Sequence, residues 1–228
     1  MENISYQDIQ QAFRKTQEEF RFPDGRLELI TDECSQKMLN ALKQCILTDE
    51  PLAKSLELTW SPDVEDYYVS TLKQRMSLMV VNEKNGDIMG LRLIRTGIKS
   101  DHFDNLTDEK VKKILGFIQF SSKDFEYFAK PGTSEAFGFN GLGVLPKYRR
   151  QGLGTLLTET GVKFLGNLLK PCYIKGSATS NFSKRIFEKC GFETLAEFPY
   201  EDYKVDEKVV LDKMGENKSM KVYGKCIQ

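Results

Sequence analysis

The stretch GLGVLPKYRRQGLGTLL (residues 141–157) decides the fold. An apolar run ends at Pro146. Two arginines, a glutamine and two glycines follow, and then a leucine pattern at helical spacing begins. Glycine inside a helix costs roughly 1 kcal/mol relative to alanine, so Gly152 and Gly154 at a helix start need a compensating purpose. A strand, a tight turn and a helix N-terminus together form an anion site. The first helical N–H groups lack partners within the helix, and the helix dipole favours negative charge there. Glycines let a phosphate approach the backbone closely, and Arg149 and Arg150 add positive charge. The expected guest is a pyrophosphate.

Two common pyrophosphate motifs do not fit. The turn lacks the GK[ST] ending of a P-loop. Gly141-Leu142-Gly143 begins like a dinucleotide fingerprint, but the third glycine position is Pro146.

Outward from this turn, AFGFNGLGVLP (136–146) reads as a buried strand. Leu153, Leu156, Leu157, Phe164, Leu165 and Leu168 mark the helix after it. PCYIKGSAT (171–179) reads as a strand, and NFSKRIFEKCGF (181–192) as a short helix closed by Gly191. Upstream, MSLMVVNEKNGDIMGLRLIRTG (76–97) reads as a hairpin around the two-residue turn Asn85-Gly86. Helices are expected at 4–20, 35–46, in the segment starting at Pro51, at 63–76 and at about 107–130. RLELI (26–30) and two segments in 192–228 read as strands. The order is an antiparallel hairpin followed by strand–helix–strand–helix–strand. That predicts an α+β (mixed α/β) fold in one domain, 1–228, with a leading extension at 1–22.

Composition narrows the function. Of 228 residues, 40% are hydrophobic, and basic and acidic residues balance at 33 each. That balance gives no global pull toward nucleic acid or membrane. The five cysteines form no CxxC pair, and no signal peptide or long apolar run is read. A reduced, cytoplasmic, monomeric protein is the expectation. The single histidine, His102, argues against a histidine metal site and a Ser-His-Asp triad, so no metal is expected.

Arg149-Arg150-Gln151-Gly152-Leu153-Gly154 matches the [QR]-x-x-G-x-[GA] signature of the GNAT superfamily of N-acetyltransferases, and NFSKRIFEKCGF resembles its following helix and terminal Gly-Phe. The resemblance covers roughly 140–192 and implies an acetyl-CoA-binding core over 136–192. It implies a mixed sheet with a V-shaped opening between two central parallel strands. Acetyl-CoA is the implied cosubstrate. Its pyrophosphate would lie on Arg149, Arg150, Gln151, Gly152, Leu153, Gly154 and Thr155. Its pantetheine arm would run along Leu142, Gly143 and Val144, with Asn181, Ser183 and Lys184 nearby.

Acetyl transfer needs a neutral amine, and at pH 7 an alkylamine with a lysine-like pKa is on the order of 0.1% neutral. A base is therefore required. Many GNAT enzymes place a Tyr near the thiol, four residues before the final Gly-Phe; here Phe187 stands there. The histidine pair of the vertebrate arylalkylamine enzymes is also ruled out by the single His. Thr48-Asp49-Glu50-Pro51-Leu52 resembles the DEPL motif of insect-type arylalkylamine N-acetyltransferases, dopamine N-acetyltransferase included. That likeness implies Glu50 as general base, assisted by the hydroxyls of Thr179, where the family often has Ser, and of Ser183, the expected proton donor to the thiolate. Read from the residues alone, Asp49-Glu50-Pro51 also fits a helix start, though Glu is a poor cap. Thr179, Ser180, Asn181 and Ser183 also suit a helix cap.

The expected substrate is a small arylalkylamine, with Phe198, Pro199, Tyr200 and Tyr203 as candidate pocket walls and the 107–130 helix at its edge. Another small amine, a peptide amine, and a non-catalytic CoA-binding domain are the alternatives.

Overall fold

A computed structural model describes residues 4–31, 35–96, 106–122 and 136–228. His102 and Cys34 lie outside these, as do residues 123–130 of the helix expected at 107–130.

Among the described residues, seven α-helices flank one seven-stranded sheet. The strands are β1 (Gly25–Leu29), β2 (Leu78–Asn82), β3 (Ile88–Thr96), β4 (Ala136–Val144), β5 (Cys172–Ala178), β6 (Glu193–Pro199) and β9 (Ser219–Ile227), in the order β1-β2-β3-β4-β5-β9-β6. A separate small hairpin joins β7 (Lys204–Val205) and β8 (Lys208–Val209). Every pairing in the main sheet is antiparallel except β4 with β5. The expected mixed α+β fold is present.

The helices are α1 (Tyr6–Glu19), α2 (Ser35–Asp49), α3 (Pro51–Ser55), α4 (Pro62–Leu72), α5 (Glu109–Ser122), α6 (Leu153–Leu168) and α7 (Asn181–Lys189). Strand alternation sends one set of side chains to each face. Phe137, Phe139 and Ile174 pack with Leu157 and Phe164 of α6, Phe187 of α7 and Ile9 of α1. Leu91 and Leu93 pack on the other face with Met38 and Leu42 of α2 and Leu72 of α4. Leu52, Phe117 and Met220 extend that second layer under α3 and α5.

Two local rules hold these elements in place. Ser5 and Asp8 form a reciprocal capping box at α1. At the other end of the core, α7 stops in a Schellman turn: Gly191 has φ +70°, and Phe192 N–H donates to Phe187 O at 3.1 Å.

The β2–β3 connection corrects the two-residue turn expected at Asn85-Gly86. Asn82 N–H donates to the Asp87 carbonyl at 2.8 Å and the Gly86 N–H donates to Asn82 O at 2.9 Å, so the loop spans residues 83–86. The Asn82 side chain sets it by accepting from the Lys84 and Asn85 amides.

Candidate active site

The V-shaped opening follows from register. β4 and β5 pair from Ala136↔Tyr173 to Phe139↔Gly176 and then separate. β4 continues to Val144 held only by β3, through Gly141↔Leu93, Leu142↔Arg92, Gly143↔Leu91 and Val144↔Gly90. A bulge at Asn140 marks the parting point: Leu93 pairs with Gly141 and Ile94 with Phe139, leaving Asn140 extra. Its side chain is clamped, accepting from Tyr67 Oη and donating to Thr71 Oγ1, both at 3.0 Å. The β5-facing edge of residues 140–144 is thus an unpaired strand edge. It opens on a cavity of about 1400 Å³.

At one end of this cavity lies the 149–155 turn. Gly152 has φ +76° at the start of α6, a left-handed conformation that glycine adopts without strain, and a Cβ there would meet nothing within 4 Å. It offers no side chain to cap the helix. The first N–H groups of α6, at Leu153, Gly154 and Thr155, stand at the cavity wall. Arg150 also lines it. Arg149 lines it too, with its guanidinium already engaged. Its Nε donates to the Val144 carbonyl at 2.9 Å, and its two terminal nitrogens bind both carboxylate oxygens of Asp49. Gln151 is exposed and outside the wall.

Glu50 also lines the cavity, between α2 and α3. With Pro51 as the first helical residue, Glu50 is the N-cap: Oε2 accepts from Ala53 N–H at 2.7 Å. A poor cap by residue type is here a working one. The other oxygen, Oε1, is buried and finds no hydrogen-bond partner among the described residues. Burial raises the carboxyl pKa, while the Ala53 amide, the Thr179 hydroxyl and the Leu52 amide pull it down. A buried acceptor without a partner is uncommon, and this one lines the cavity. Thr179 also lies in the wall, and Tyr200 Oη donates to its carbonyl at 2.6 Å.

Ser183 reaches the same wall as part of a capping box at α7. Its Oγ accepts from Ser180 N–H at 3.2 Å and donates to Ser180 O at 3.0 Å. The hydroxyl expected to serve the thiolate is therefore engaged in holding the helix start.

Asn181 and Lys184, expected beside the cofactor arm, point elsewhere. Asn181 Nδ2 donates to Glu216 O at 3.0 Å, and its N–H to Asn217 Oδ1 at 2.9 Å. Lys184 is buried on the other side of α7, where Nζ donates to Ser219 Oγ at 2.6 Å. Helical spacing explains this: with Ser183 and Ile186 toward the cavity, Lys184 lies 100° off that line.

Much of the remaining wall is apolar and aromatic, with the cations Lys54, Arg95 and Lys175 also in it. Val64, Tyr67 and Tyr68 come from α4, and Ile114, Leu115 and Ile118 from α5. Tyr68 is stacked on Trp60 with ring centroids 6.0 Å apart. The expected edge role of the α5 region is met. Phe198, Tyr200 and Tyr203 instead pack behind the site with Phe117 and Phe120. Sequence reasoning passed over Arg92, Tyr67 and Tyr68. For Arg92 the signal was available: a charge in the middle of an otherwise apolar strand.

No His/Cys/Asp/Glu cluster suited to a metal occurs among the described residues, and no described helix is long and apolar enough to cross a membrane. Cys45, Cys172, Cys190 and Cys226 are free thiols.

Residues 103–194 match the family model described as acetyltransferase (GNAT) domain. Arylalkylamine N-acetyltransferase 2 from Aedes aegypti superposes with a TM-score of 0.82 at 26% identity, covering 90% of this chain and 100% of that one. Drosophila melanogaster polyamine N-acetyltransferase, described as forming N-acetylagmatine, gives 0.76 at 16% identity over 89% and 100%. Arabidopsis thaliana Naa50, solved with the bisubstrate analogue CoA-Ac-MVNAL, gives 0.52 at 16% identity over 89% and 99%. The latter two likenesses show the fold alone.

Proposed function

We propose that this chain, whose residues 103–194 match a GNAT acetyltransferase domain and whose fold superposes on an arylalkylamine N-acetyltransferase, is an acetyl-CoA-dependent N-acetyltransferase for the primary amine of a small arylalkylamine, of the dopamine, tyramine, serotonin and tryptamine class. The observation that carries this reading is Glu50, a residue of the cavity that the open β4 edge also lines, whose Oε1 is buried with no hydrogen-bond partner among the described residues.

The cavity fits acetyl-CoA at three points. The amides of 152–155 and Arg150 suit the pyrophosphate. The unpaired edge at Leu142, Gly143 and Val144 suits an extended amide-bearing arm. The glycine at 152 keeps the turn clear of a Cβ. Bound there, acetyl-CoA supplies the activated acetyl group.

The residues then divide the work. Glu50 Oε1 accepts the amine proton as nitrogen attacks, and its raised pKa brings it closer to neutrality as a base. Backbone N–H groups on the β4 edge stabilise the developing oxyanion. Thr179 tunes Glu50, and Ser183 fixes the start of α7 within the wall. Direct attack is favoured over an acetyl-enzyme: the cysteine in the wall, Cys45, is pushed up to about 11 by burial and holds little thiolate at neutral pH.

The arylalkylamine class is supported by the apolar walls from α4 and α5. Among the described lining residues the carboxylates are Asp49 and Glu50, and Asp49 is committed to Arg149. A substrate with a second cationic group thus meets no further carboxylate there.

The test is acetyl-CoA-dependent thiol release over aromatic ethylamines, agmatine, a polyamine and one peptide. Turnover on aromatic ethylamines supports the reading. Turnover confined to agmatine and polyamines moves the substrate class, and turnover confined to the peptide moves it further. CoA binding without turnover on any of them leaves a binding domain.

A further inference from the structure

Arg92 is the most deeply buried charged residue among the described residues, and the mechanism above does not use it. It is 2% exposed in the middle of β3, yet it reaches the cavity wall. Nη2 donates to Thr158 Oγ1 of α6 at 2.7 Å, and Nη1 to the Gly141 carbonyl of β4 at 3.3 Å. Nε is buried with no partner among the described residues. The guanidinium lies 4.4 Å from the Phe139 ring centroid and 5.7 Å from that of Phe187. Aromatic faces attract a cation but leave it charged.

Among the described residues no carboxylate balances this charge. The groups packed around Arg92 are Thr158 and Gly161 from α6, Phe139 and Gly141 from β4, and Phe187 from α7. The ionisable group acting on it is the Cys190 thiol, itself raised to about 11 by burial and so neutral. Arg95 on β3 and Lys175 on β5 point to the opposite face by strand alternation and are cations too. Desolvation lowers the Arg92 pKa to about 9, which still leaves it protonated at neutral pH. A buried unpaired cation is costly, and this one sits at the cavity wall beside Phe139, where β4 and β5 part.

We propose that Arg92 stabilises the negative charge on the leaving sulfur during acetyl transfer. This rests on the acetyltransferase reading. Phe187 has no proton to give, and the Ser183 hydroxyl is held within the α7 capping box by Ser180 O and Ser180 Oγ. Arg92 therefore supplies charge where neither neighbour supplies a proton. The amine nitrogen bonds to the acetyl carbon, the carbon–sulfur bond breaks, and its electron pair departs on sulfur. The amine proton goes to Glu50 and reaches the sulfur afterwards through solvent. Arg92 keeps its own proton throughout.

The test titrates the thiol of bound CoA by its thiolate absorbance, with the complex of desulfo-CoA (CoA lacking its sulfur) as the blank, so that the protein's own cysteines and tyrosines cancel. In the unmodified protein the bound thiol is expected to titrate at least one pH unit below free CoA, a tenfold gain in acidity. Arg92→Met returns it to the free value or above, and Arg92→Lys falls between. A bound thiol that titrates at or above free CoA in the unmodified protein overturns the proposal without any variant, as does retention of the shift in Arg92→Met. Absence of CoA binding overturns the acetyltransferase reading and this proposal with it.

Discussion

Asp49 and Arg149 are joined through both carboxylate oxygens and both terminal guanidinium nitrogens, so the residue before Glu50 is tied directly to the turn that opens α6. The pair is partly exposed, at 44% and 36% of the two side chains, and pairs of that kind contribute about 1 kcal/mol or less to stability. Its importance is geometric. The Arg149 fork also holds the Val144 carbonyl, so one side chain connects the end of β4, the end of α2 and the 149–155 turn. Asp49→Asn is expected to change Tm by a few degrees at most. CoA affinity should rise, because a negative charge leaves the turn and Arg149 is released. Turnover should fall, because the backbone carrying Glu50 loses its anchor. Calorimetric titration with CoA alongside kcat checks the opposed directions; a parallel loss of both would show that the pair only supports folding.

Glu50→Gln separates catalysis from capping. Gln keeps an oxygen that can accept from Ala53 N–H but cannot take a proton from the amine. A drop in kcat of about 100-fold or more at neutral pH is expected for loss of a general base, with partial recovery at high pH as more amine becomes neutral. Stability should move the other way. The folded-state pKa of Glu50 is raised by burial, so the folded state holds this proton more tightly than the unfolded chain does. Its contribution to stability is present below the ordinary glutamate value and is lost as pH rises through the raised one. Gln carries no such slope. Melting curves over mildly acidic to neutral pH should show the variant equal to or above the parent at the upper end; a variant with unchanged kcat at pH 7 would remove Glu50 from the chemistry.

The hydroxyls at 179 and 183 are predicted to behave differently. The Thr179 hydroxyl lowers the Glu50 pKa. Thr179→Val should therefore raise it and move the acidic limb of the pH–rate profile to higher pH, with little change in kcat on the plateau. Ser183→Ala removes one half of the α7 capping box and is expected to cost about 1 kcal/mol of stability, seen as a lower Tm with the pH profile in place. An upward shift of the profile in Ser183→Ala instead would assign the tuning role to that hydroxyl.

Much of the architecture was legible because the elements obey local rules. The leucine spacing after Gly152, the Pro that ends β4 and the Gly191 stop each acted within a few residues, and each element appears where its pattern placed it. Side-chain direction around the site was less legible. Asn181 and Lys184 share a motif with Ser183, but one helical step turns Lys184 toward Ser219, and Asn181 is claimed by the 216–217 loop, far away in sequence. Phe198, Tyr200 and Tyr203 looked like pocket walls by composition; the partners that cover them, Phe117 and Phe120, lie about eighty residues earlier. The Asn140 bulge, which opens the sheet, depends on Tyr67 and Thr71 of α4 and leaves no mark in its own strand.

Gly152 offers the sharpest test of where the phosphates lie, because conformation and charge can be separated there. Its φ of +76° strains most residues, while space for a side chain is free. Asparagine tolerates the left-handed region better than most. Gly152→Asn should therefore fold with a penalty of about 1 kcal/mol or less and reduce CoA affinity only a few-fold. Gly152→Asp has nearly the same shape but sets a carboxylate beside the unpaired N–H groups of α6, where the guest's own charge belongs. It should reduce CoA affinity by a further tenfold or more, and the gap between the two variants should narrow as salt is raised. Titrations of both variants at low and high salt measure that gap. Equal affinities at low salt would place the pyrophosphate away from this turn.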